Sequence, residues 1–195
     1  MSLLTRDFYA RDPQVVAAEL IGKHLVRRTT QGICSGIIVE TEAYLAKDDS
    51  ASHSFRGRNR KNATMFRQAG LLYVYPIHGR CCLNTVTESR GVASAVLIRA
   101  VQPVLGIDLM QTRRQSPMID LARGPGRLCE AFDVDRQLDG WDLTRGHRIW
   151  IESASDDKPF EIQITRRIGV TSAQDLHLRY IAKHCAFVSG PRNHA

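Results

Sequence analysis

The chain has 195 residues, and its 43% hydrophobic and 24% charged fractions exclude a chain that is disordered by default. No apolar run approaches about 20 residues, and Arg6 and Asp7 precede any apolar segment, so we expect neither a membrane-spanning helix nor a secretory signal. The 27 Lys and Arg outnumber the 20 Asp and Glu, and the net charge of +7 favours a polyanionic partner, nucleic acid before an anionic membrane.

The first predicted elements are a helix and a strand. Asp12 is a good N-cap, Pro13 suits the first helical position, and Gly22 provides a stop. The β-branched segment at residues 36–45 predicts a strand. Alternation along it places two carboxylates and a phenol on one face with an apolar residue. These four residues are Ile38, Glu40, Glu42 and Tyr44. Edge strands also carry charge on a solvated face, so that interpretation stays open here.

Residues 46–70 predict a long loop with a strong positive charge. Loops longer than about 12–15 residues are usually functional or disordered. No acidic residue lies between Arg56 and Arg67, and this stretch carries five basic side chains, which are Arg56, Arg58, Arg60, Lys61 and Arg67. Because a guanidinium donates two parallel bonds to phosphate, the segment is predicted to bind phosphate groups rather than only solvent.

The next predicted strand, residues 71–77, brings two tyrosines to one face. They are Tyr73 and Tyr75, and a turn is predicted to follow at His78 and Gly79. Aromatic faces next to a basic loop suit the binding of unstacked bases, although a single aromatic residue is more often part of a core.

A further strand is predicted over residues 92–101, and it contains an arginine in an otherwise apolar run. A buried Arg99 needs a partner, and the carboxylates of Glu40 and Glu42 are the obvious candidates. An ionised carboxylate beside a pocket can act as a general base on water. A purely structural buried ion pair is the alternative from these residues alone.

The remaining elements complete an α+β pattern. A short helix is predicted over residues 106–115, and a glycine-rich turn at Gly124 leads into another helix ending at residue 132. Two closing strands are predicted at residues 147–152 and 160–168. Strands outnumber helices without regular alternation, so we expect an α+β single domain over residues 1–195, built on a largely antiparallel sheet with flanking helices.

Several kinds of site are disfavoured by the sequence. The chain has five cysteines with irregular spacing and no CxxC, so neither a disulfide framework nor a structural zinc site is expected. They are Cys34, Cys81, Cys82, Cys129 and Cys185. P-loop, GxSxG and HExxH motifs do not occur. No metal and no cofactor are expected.

Motifs along almost the whole chain resemble the alkyladenine (3-methyladenine) DNA glycosylases, also called methylpurine glycosylases. The matching segments occur in order with the spacing of that family. They are residues 4–9, 38–45, 51–54, 73–75, 83–84, 97–100, 124–129, 167–170 and 178–180. The resemblance implies a compact domain with a curved antiparallel sheet and a monofunctional hydrolase. Such an enzyme flips a damaged purine from duplex DNA, leaves an abasic site in base excision repair and needs no metal.

The resemblance also implies roles for individual residues. Glu42 would activate water, and Arg99 would help to hold the water and the carboxylate. The flipped base would lie against four residues, with Tyr44 and Tyr75 on its faces, His53 in contact with it or with the backbone, and Asn84 excluding purines with an exocyclic amino group. Alkylated purines are the expected substrates, with deaminated purines as a further candidate class. No lysine lies in the Glu42 strand, so lyase activity is not expected.

The expected DNA contacts depart from the family at one point. His78 stands where the family usually has a Tyr that wedges into the gap left by the flipped base, and Arg80 could add attraction to the minor groove. The other expected DNA-binding residues are Arg56, Arg58, Arg60, Lys61 and Arg127. We expect a monomer on double-stranded DNA with no membrane contact, located in the cytoplasm and associated with the nucleoid if the source is bacterial.

Two other functions remain open from the sequence. A non-catalytic binder of distorted or damaged nucleic acid would use the same basic loop and tyrosines and would release no base. A metal-dependent nuclease would instead use carboxylates as ligands, the candidates being Glu40, Glu42, Asp48 and Asp49.

Overall fold

The structure is a computed structural model that describes residues 2–77, 79–153 and 160–190. Within these residues, nine strands form one sheet with four α-helices around it. The strands are β1 (Ser2–Leu3), β2 (His24–Thr29), β3 (Gly32–Tyr44), β4 (Leu72–Ile77), β5 (Arg80–Thr87), β6 (Ser94–Leu105), β7 (Ile149–Ser153), β8 (Ile162–Thr165) and β9 (Arg179–Ala182). The helices are α1 (Arg6–Tyr9), α2 (Pro13–Leu20), α3 (Ile107–Arg114) and α4 (Pro125–Ala131).

The sheet is antiparallel in every described pairing. Its order is β1-β7-β2-β3-β6-β5-β4, and β9 joins β3 to β8 off this path. The α+β prediction is confirmed, whereas the extent of a single domain over residues 1–195 stays a prediction. Across the described residues, no helix is both long and apolar enough to cross a membrane.

Most predicted elements are present with shifted ends. The three predicted helices correspond to α2, α3 and α4, and the Asp12 carboxylate caps α2 by accepting from Gln14 N at 2.7 Å. The five predicted strands correspond to β3, β4, β6, β7 and β8. The predicted loop at 46–70 contains no described strand or α-helix, only a 3-10 turn at Ala63–Phe66. The prediction omitted α1, β1, β2, β5 and β9.

The long strand β3 forms the centre of the sheet. β6 pairs along one edge of β3, while β2 pairs with residues 32–37 and β9 with residues 40–42 of the other edge. Its second half is thus hydrogen-bonded on both sides. On one face α2 packs against β3 and β6, and Thr41 Oγ1 of β3 donates to Ala17 O of α2 at 2.8 Å.

Two register shifts distort the β3–β6 pairing on either side of Glu40. Glu40 is opposite Ala100 and Thr41 is opposite Ile98, which leaves Arg99 as the extra residue on β6. Bulges of this kind bend a strand and redirect a side chain. The irregularity therefore lies where the predicted catalytic residues lie.

One buried hydroxyl in the core has no hydrogen bond. Tyr9 is 0% exposed, and its hydroxyl has no partner among the described residues. An unsatisfied buried polar group costs about 1–3 kcal/mol, so Tyr9→Phe should raise the free energy of unfolding by about 1 kcal/mol. Urea unfolding measures this difference in the free energy of unfolding, provided that the m-value is the same in both proteins. A loss of stability would contradict the assignment of an unpaired hydroxyl.

Candidate active site

Arg99 holds two buried carboxylates next to each other. Its Nε donates to Glu40 Oε1 at 3.0 Å, and its Nη1 donates to Glu42 Oε2 at 3.2 Å. Both carboxylates are fully buried and Arg99 is 7% exposed. The predicted pairing of Arg99 with both glutamates is confirmed, and a guanidinium at this distance favours the ionised form of a carboxylate.

Glu40 accepts four hydrogen bonds from the protein. Oε1 accepts from Arg99, from Arg179 Nε at 2.6 Å and from Ser189 Oγ at 2.9 Å, while Oε2 accepts from Ser189 N at 2.7 Å. Three of these donors converge on Oε1 and one binds Oε2, so Oε2 keeps one lone pair. Glu40 therefore fixes the geometry of Arg99, Arg179 and Ser189, and two guanidinium groups balance its charge.

Glu42 accepts one hydrogen bond fewer than Glu40. Oε2 accepts from Arg99 and from the Tyr44 hydroxyl at 3.0 Å, and Oε1 accepts from Ile168 N at 2.8 Å. These three donors from the described residues leave one of about four lone-pair positions, on Oε1. This lone pair receives no hydrogen bond from the described residues.

The surroundings of Glu40 keep it charged. Burial raises the pKa of its carboxyl group, but Arg99 and Arg179 outweigh burial, so the pKa lies below its usual value. Burial in turn lowers the pKa of Arg99, and Glu42 and Glu40 more than restore it, so this pKa lies above its usual value. Glu40 and Arg99 therefore carry their charges at neutral pH.

This charge state predicts acid sensitivity. A depressed carboxyl pKa stabilises the folded state fully above the ordinary glutamate pKa of about 4.3, and this stability is lost as the pH falls through the lower folded-state pKa. Below about pH 4.3, we therefore expect the free energy of unfolding to fall less steeply with decreasing pH in Glu40→Gln than in the unsubstituted protein. Denaturant unfolding across pH 3–7 measures both slopes, and parallel curves would contradict the assignment.

A second buried ion pair packs against one face of the Tyr44 ring. The Arg167 guanidinium lies 4.6 Å from the centroid of the Tyr44 ring and binds Asp49 through two hydrogen bonds of 2.7 and 2.6 Å. Asp49 also accepts from Leu45 N and Ala51 N, at 3.0 and 3.2 Å. The pair thus fixes both the ring and the start of the loop after β3.

A small aromatic cavity lies beside Tyr44. It is lined by Tyr44, His53, Met65, Tyr73, Tyr75, Asn84 and Ala95 and has a volume of about 20 Å³. The rings of His53 and Tyr75 meet at 4.4 Å between centroids, and those of Tyr73 and Tyr75 at 5.4 Å. The structure therefore brings together all four residues for which the resemblance implied contact with a base.

Two buried amides fix the wall of this cavity. Asn84 Nδ2 donates to Tyr73 O at 3.0 Å, and Asn62 Nδ2 donates to His53 O at 2.8 Å. Asn84 is 3% exposed and Asn62 is 1% exposed. With Nδ2 of Asn84 engaged, Oδ1 is the atom of this side chain that remains as an acceptor.

Two wider clefts share His53 and Tyr75 with the aromatic cavity. One has a volume of about 480 Å³ and includes Tyr44, Arg56 and residues 169–172 in its lining. The other has a volume of about 380 Å³ and is lined by Tyr73, Lys61 and Arg136 among others. Each of the two clefts therefore has at least one cationic side chain in its lining.

The predicted DNA-binding residues fall into separate groups. Of the loop residues, Arg56 and Lys61 line the clefts, while Arg58 and Arg60 are exposed on the same loop without lining them. Arg80, at the start of β5, and Arg127, in α4, line neither the aromatic cavity nor the two clefts.

Arg80 and Arg127 are both paired with acids. Arg80 Nε lies 2.9 Å from Glu130 and Arg127 Nη1 lies 3.3 Å from Asp120. The predicted wedge, His78, lies outside the described residues.

Some residues of the site were not predicted from the sequence. Asp49 was considered only as a metal ligand, and Arg167, Asn62, Ser189 and Arg136 were given no role. Asn62 could have been found, because the Asn59–Asn62 spacing suits local side-chain capping, and Asn59 Oδ1 accepts from Asn62 N at 3.2 Å. Contacts such as Ser189 with Glu40 join residues far apart in sequence and leave no local pattern.

The sequence of the chain is similar to proteins of one known family. The model of the family described as methylpurine-DNA glycosylase (MPG) matches residues 7–186. A protein of Rhodopirellula baltica is 45% identical over 98% of this chain and 84% of its own length. One from Mesorhizobium japonicum is 44% identical (93% and 88%), and one from Koribacter versatilis is 43% identical (97% and 94%). All three carry the provisional name 3-methyladenine DNA glycosylase. The chain belongs to the methylpurine-DNA glycosylase family, and so to the hydrolases that act on the glycosidic bonds of DNA.

Proposed function

We propose that this chain is a monofunctional glycosylase that extrudes an alkylated purine from duplex DNA and hydrolyses its N-glycosidic bond with a water activated by Glu42. The observation that carries the proposal is the unfilled acceptor position on Glu42 Oε1, in a carboxylate linked through the Tyr44 hydroxyl to the aromatic cavity. Base removal requires the base to leave the stack, because its glycosidic bond is inaccessible within the duplex.

The reaction proceeds by water addition at the sugar. The bond between C1′ and the purine nitrogen breaks with its electron pair going to the purine, and the water oxygen bonds to C1′ while its proton goes to Glu42. Methylation of a ring nitrogen gives the purine a positive charge, so the base leaves as a neutral molecule. The sugar passes through an oxocarbenium-like state, which the anionic Glu42 stabilises.

The aromatic residues provide selectivity for the charged purine. A cation over a tyrosine face gains about 0.5–2 kcal/mol, which a neutral purine does not gain. Tyr44 already has the Arg167 guanidinium on one face, and this ion is itself neutralised by Asp49. No cation of the described residues lies over the ring of Tyr75, which therefore provides the stronger attraction for a cationic base.

The exposed loop cations supply affinity for the duplex. Arg56, Arg58, Arg60 and Lys61 are all exposed. Removal of one cation that binds a phosphate should reduce the slope of log K against log salt by about 0.9, so single replacements by Gln should lower the slope without changing the lesion preference. Titration of a lesion duplex at several salt concentrations measures this slope.

The control for the loop variants is Arg11→Gln, which removes the same charge from an arginine that is paired with Glu19. Equal slopes in all variants would contradict a role of the loop in binding.

The nuclease alternative is disfavoured by the hydrogen bonding of its candidate ligands. Asp49 accepts two hydrogen bonds on each oxygen, so it has no free lone pair for a cation. Glu40 also accepts four hydrogen bonds, and Arg99 and Arg179 already balance its charge. Among the described residues, the other two carboxylates considered for that function, Glu42 and Asp48, are engaged less.

Product analysis separates the proposed function from both alternatives. A duplex containing 7-methylguanine or 3-methyladenine is incubated with the protein in EDTA, and free base and strand length are measured. We expect free methylpurine and an unbroken strand that carries an abasic site. Binding without free base would support the non-catalytic binder. For the nuclease, strand breaks without base loss would appear in a parallel reaction with a divalent cation and disappear in EDTA.

A further inference from the structure

His53 and Tyr73 form a hydrogen bond at the wall of the aromatic cavity. His53 Nδ1 and the Tyr73 hydroxyl are 2.8 Å apart. Tyr73 is 3% exposed, and its bond with His53 is the only hydrogen bond recorded for this hydroxyl in the described part of the chain. The ring of His53 lines the cavity and both of the wider clefts, so its other nitrogen is the one that a ligand can meet.

The direction of this hydrogen bond follows from the charge states of the two groups. Burial, with a smaller effect of Asp139, raises the pKa of Tyr73, so the phenol keeps its proton. Partial burial lowers the pKa of His53, so the imidazole is neutral at pH 7. A neutral imidazole has one donor and one acceptor nitrogen. The phenol is the more acidic donor of the two and has no other acceptor among the described residues, so it donates to Nδ1.

Both residues are fixed through their backbones as well. Asn62 donates to the carbonyl oxygen of His53, and Asn84 donates to the carbonyl oxygen of Tyr73. β4 and β5 pair regularly through Tyr73 and Asn84. The hydroxyl of Tyr73 therefore meets His53 in a prearranged position, before any ligand binds.

We infer that Tyr73 is a positioning residue that holds His53 as its Nε2–H tautomer, so that His53 donates a hydrogen bond to an acceptor atom of the extruded nucleotide. The acceptor is a purine ring nitrogen, a purine carbonyl or a phosphate oxygen. An exocyclic amino group is itself a donor and cannot accept this hydrogen bond. This inference rests on the proposed function for its ligand, whereas the tautomer itself is a property of the free protein.

Nuclear magnetic resonance of the free protein, labelled with nitrogen-15, tests the tautomer directly. In the unsubstituted protein, the two ring nitrogens of His53 should show a protonated Nε2 and an unprotonated Nδ1. In Tyr73→Phe, a population with protonated Nδ1 should appear. A protonated Nδ1 in the unsubstituted protein, or an unchanged pattern in Tyr73→Phe, would overturn the inference. Neither result depends on enzymatic activity.

Binding to two duplexes identifies the acceptor. One contains a hypoxanthine nucleotide with a 2′-fluoro sugar that resists cleavage, and the other contains a tetrahydrofuran abasic analogue. Loss of one hydrogen bond should weaken binding of Tyr73→Phe by about 2- to 12-fold. Weakening with the first duplex only assigns the acceptor to the base, and weakening with both assigns it to the backbone. Equal affinities of the variant and the unsubstituted protein for both duplexes would overturn the donor role.

A matched control separates this effect from a general loss of packing. Tyr9→Phe also removes a buried tyrosine hydroxyl, but that hydroxyl has no hydrogen bond in the described residues. It should leave the nitrogen pattern of His53 and both affinities unchanged. If neither the unsubstituted protein nor its variants bind the duplexes, the proposed function is contradicted. The measurement of the His53 tautomer remains valid in that case, because it uses the free protein.

Discussion

Replacing Glu42 with Gln should slow the release of 7-methylguanine from duplex DNA by about 10²–10⁴-fold, the usual contribution of a positioned general base. Gln has nearly the same shape as Glu but carries no charge and cannot take a proton from water. It also loses one of the acceptor oxygens that now receive hydrogen bonds from Arg99, Tyr44 and Ile168 N. Single-turnover rates with enzyme in excess measure this effect apart from product release.

Binding and folding controls make the Glu42 result specific. Glu42→Gln should bind the lesion duplex within a few-fold of the unsubstituted affinity, because the exposed loop cations are unchanged. Glu19→Gln, an exposed carboxylate on α2, is the matched control and should retain full activity. Equal rates in Glu42→Gln and in the unsubstituted protein would remove Glu42 from the chemistry.

Replacing Arg167 with Met should lower the free energy of unfolding by about 3–5 kcal/mol, the usual cost of leaving a buried charge without its partner. Both members of the Arg167–Asp49 pair have side chains with no solvent exposure, and two hydrogen bonds join them. Asp49 would keep only its backbone donors, from Leu45 and Ala51. Tyr44 would also lose the cation behind its ring, which should loosen the aromatic cavity.

An exposed pair provides the comparison for Arg167. Arg11 and Glu19 also form a two-bond ion pair, at 3.1 and 2.8 Å, but their side chains are 37% and 50% exposed. Arg11→Met should therefore cost at most about 1 kcal/mol. Urea unfolding of both variants gives the two values. Similar costs at the two sites would show that Asp49 is solvated or protonated when Arg167 is removed.

The central ion pairs of the site were predictable because they follow simple patterns. Alternation along β3 placed Glu40, Glu42 and Tyr44 on one face, and an Arg99 in an apolar strand required a buried anion. Alternation also placed Tyr75 beside Tyr73, and the resemblance then gave base contacts to Tyr75, His53 and Asn84, which the structure brings to one cavity. Local periodicity and charge balance were sufficient for the ion pairs, and the aromatic cavity needed the resemblance as well.

Other parts depended on contacts that local patterns do not contain. The strand β2 carries His24, Arg27 and Arg28, and it becomes a strand because β3 and β7 pair with its two edges. β9 has four residues, too few for a periodic signal, and it is held between β3 and β8. Likewise, the four hydrogen bonds on Glu40, compared with three on Glu42, depend on Ser189, 149 positions away in sequence.

A crystal structure with a duplex that contains an uncleavable 2′-fluoro lesion nucleotide tests the central claim most directly. We expect the purine to lie between the rings of Tyr44 and Tyr75, with a water molecule about 2.6–3.2 Å from Glu42 Oε1 and facing C1′ of the sugar. A lesion that remains stacked in the duplex, or an extruded sugar whose C1′ faces no water bound to Glu42, would contradict the account.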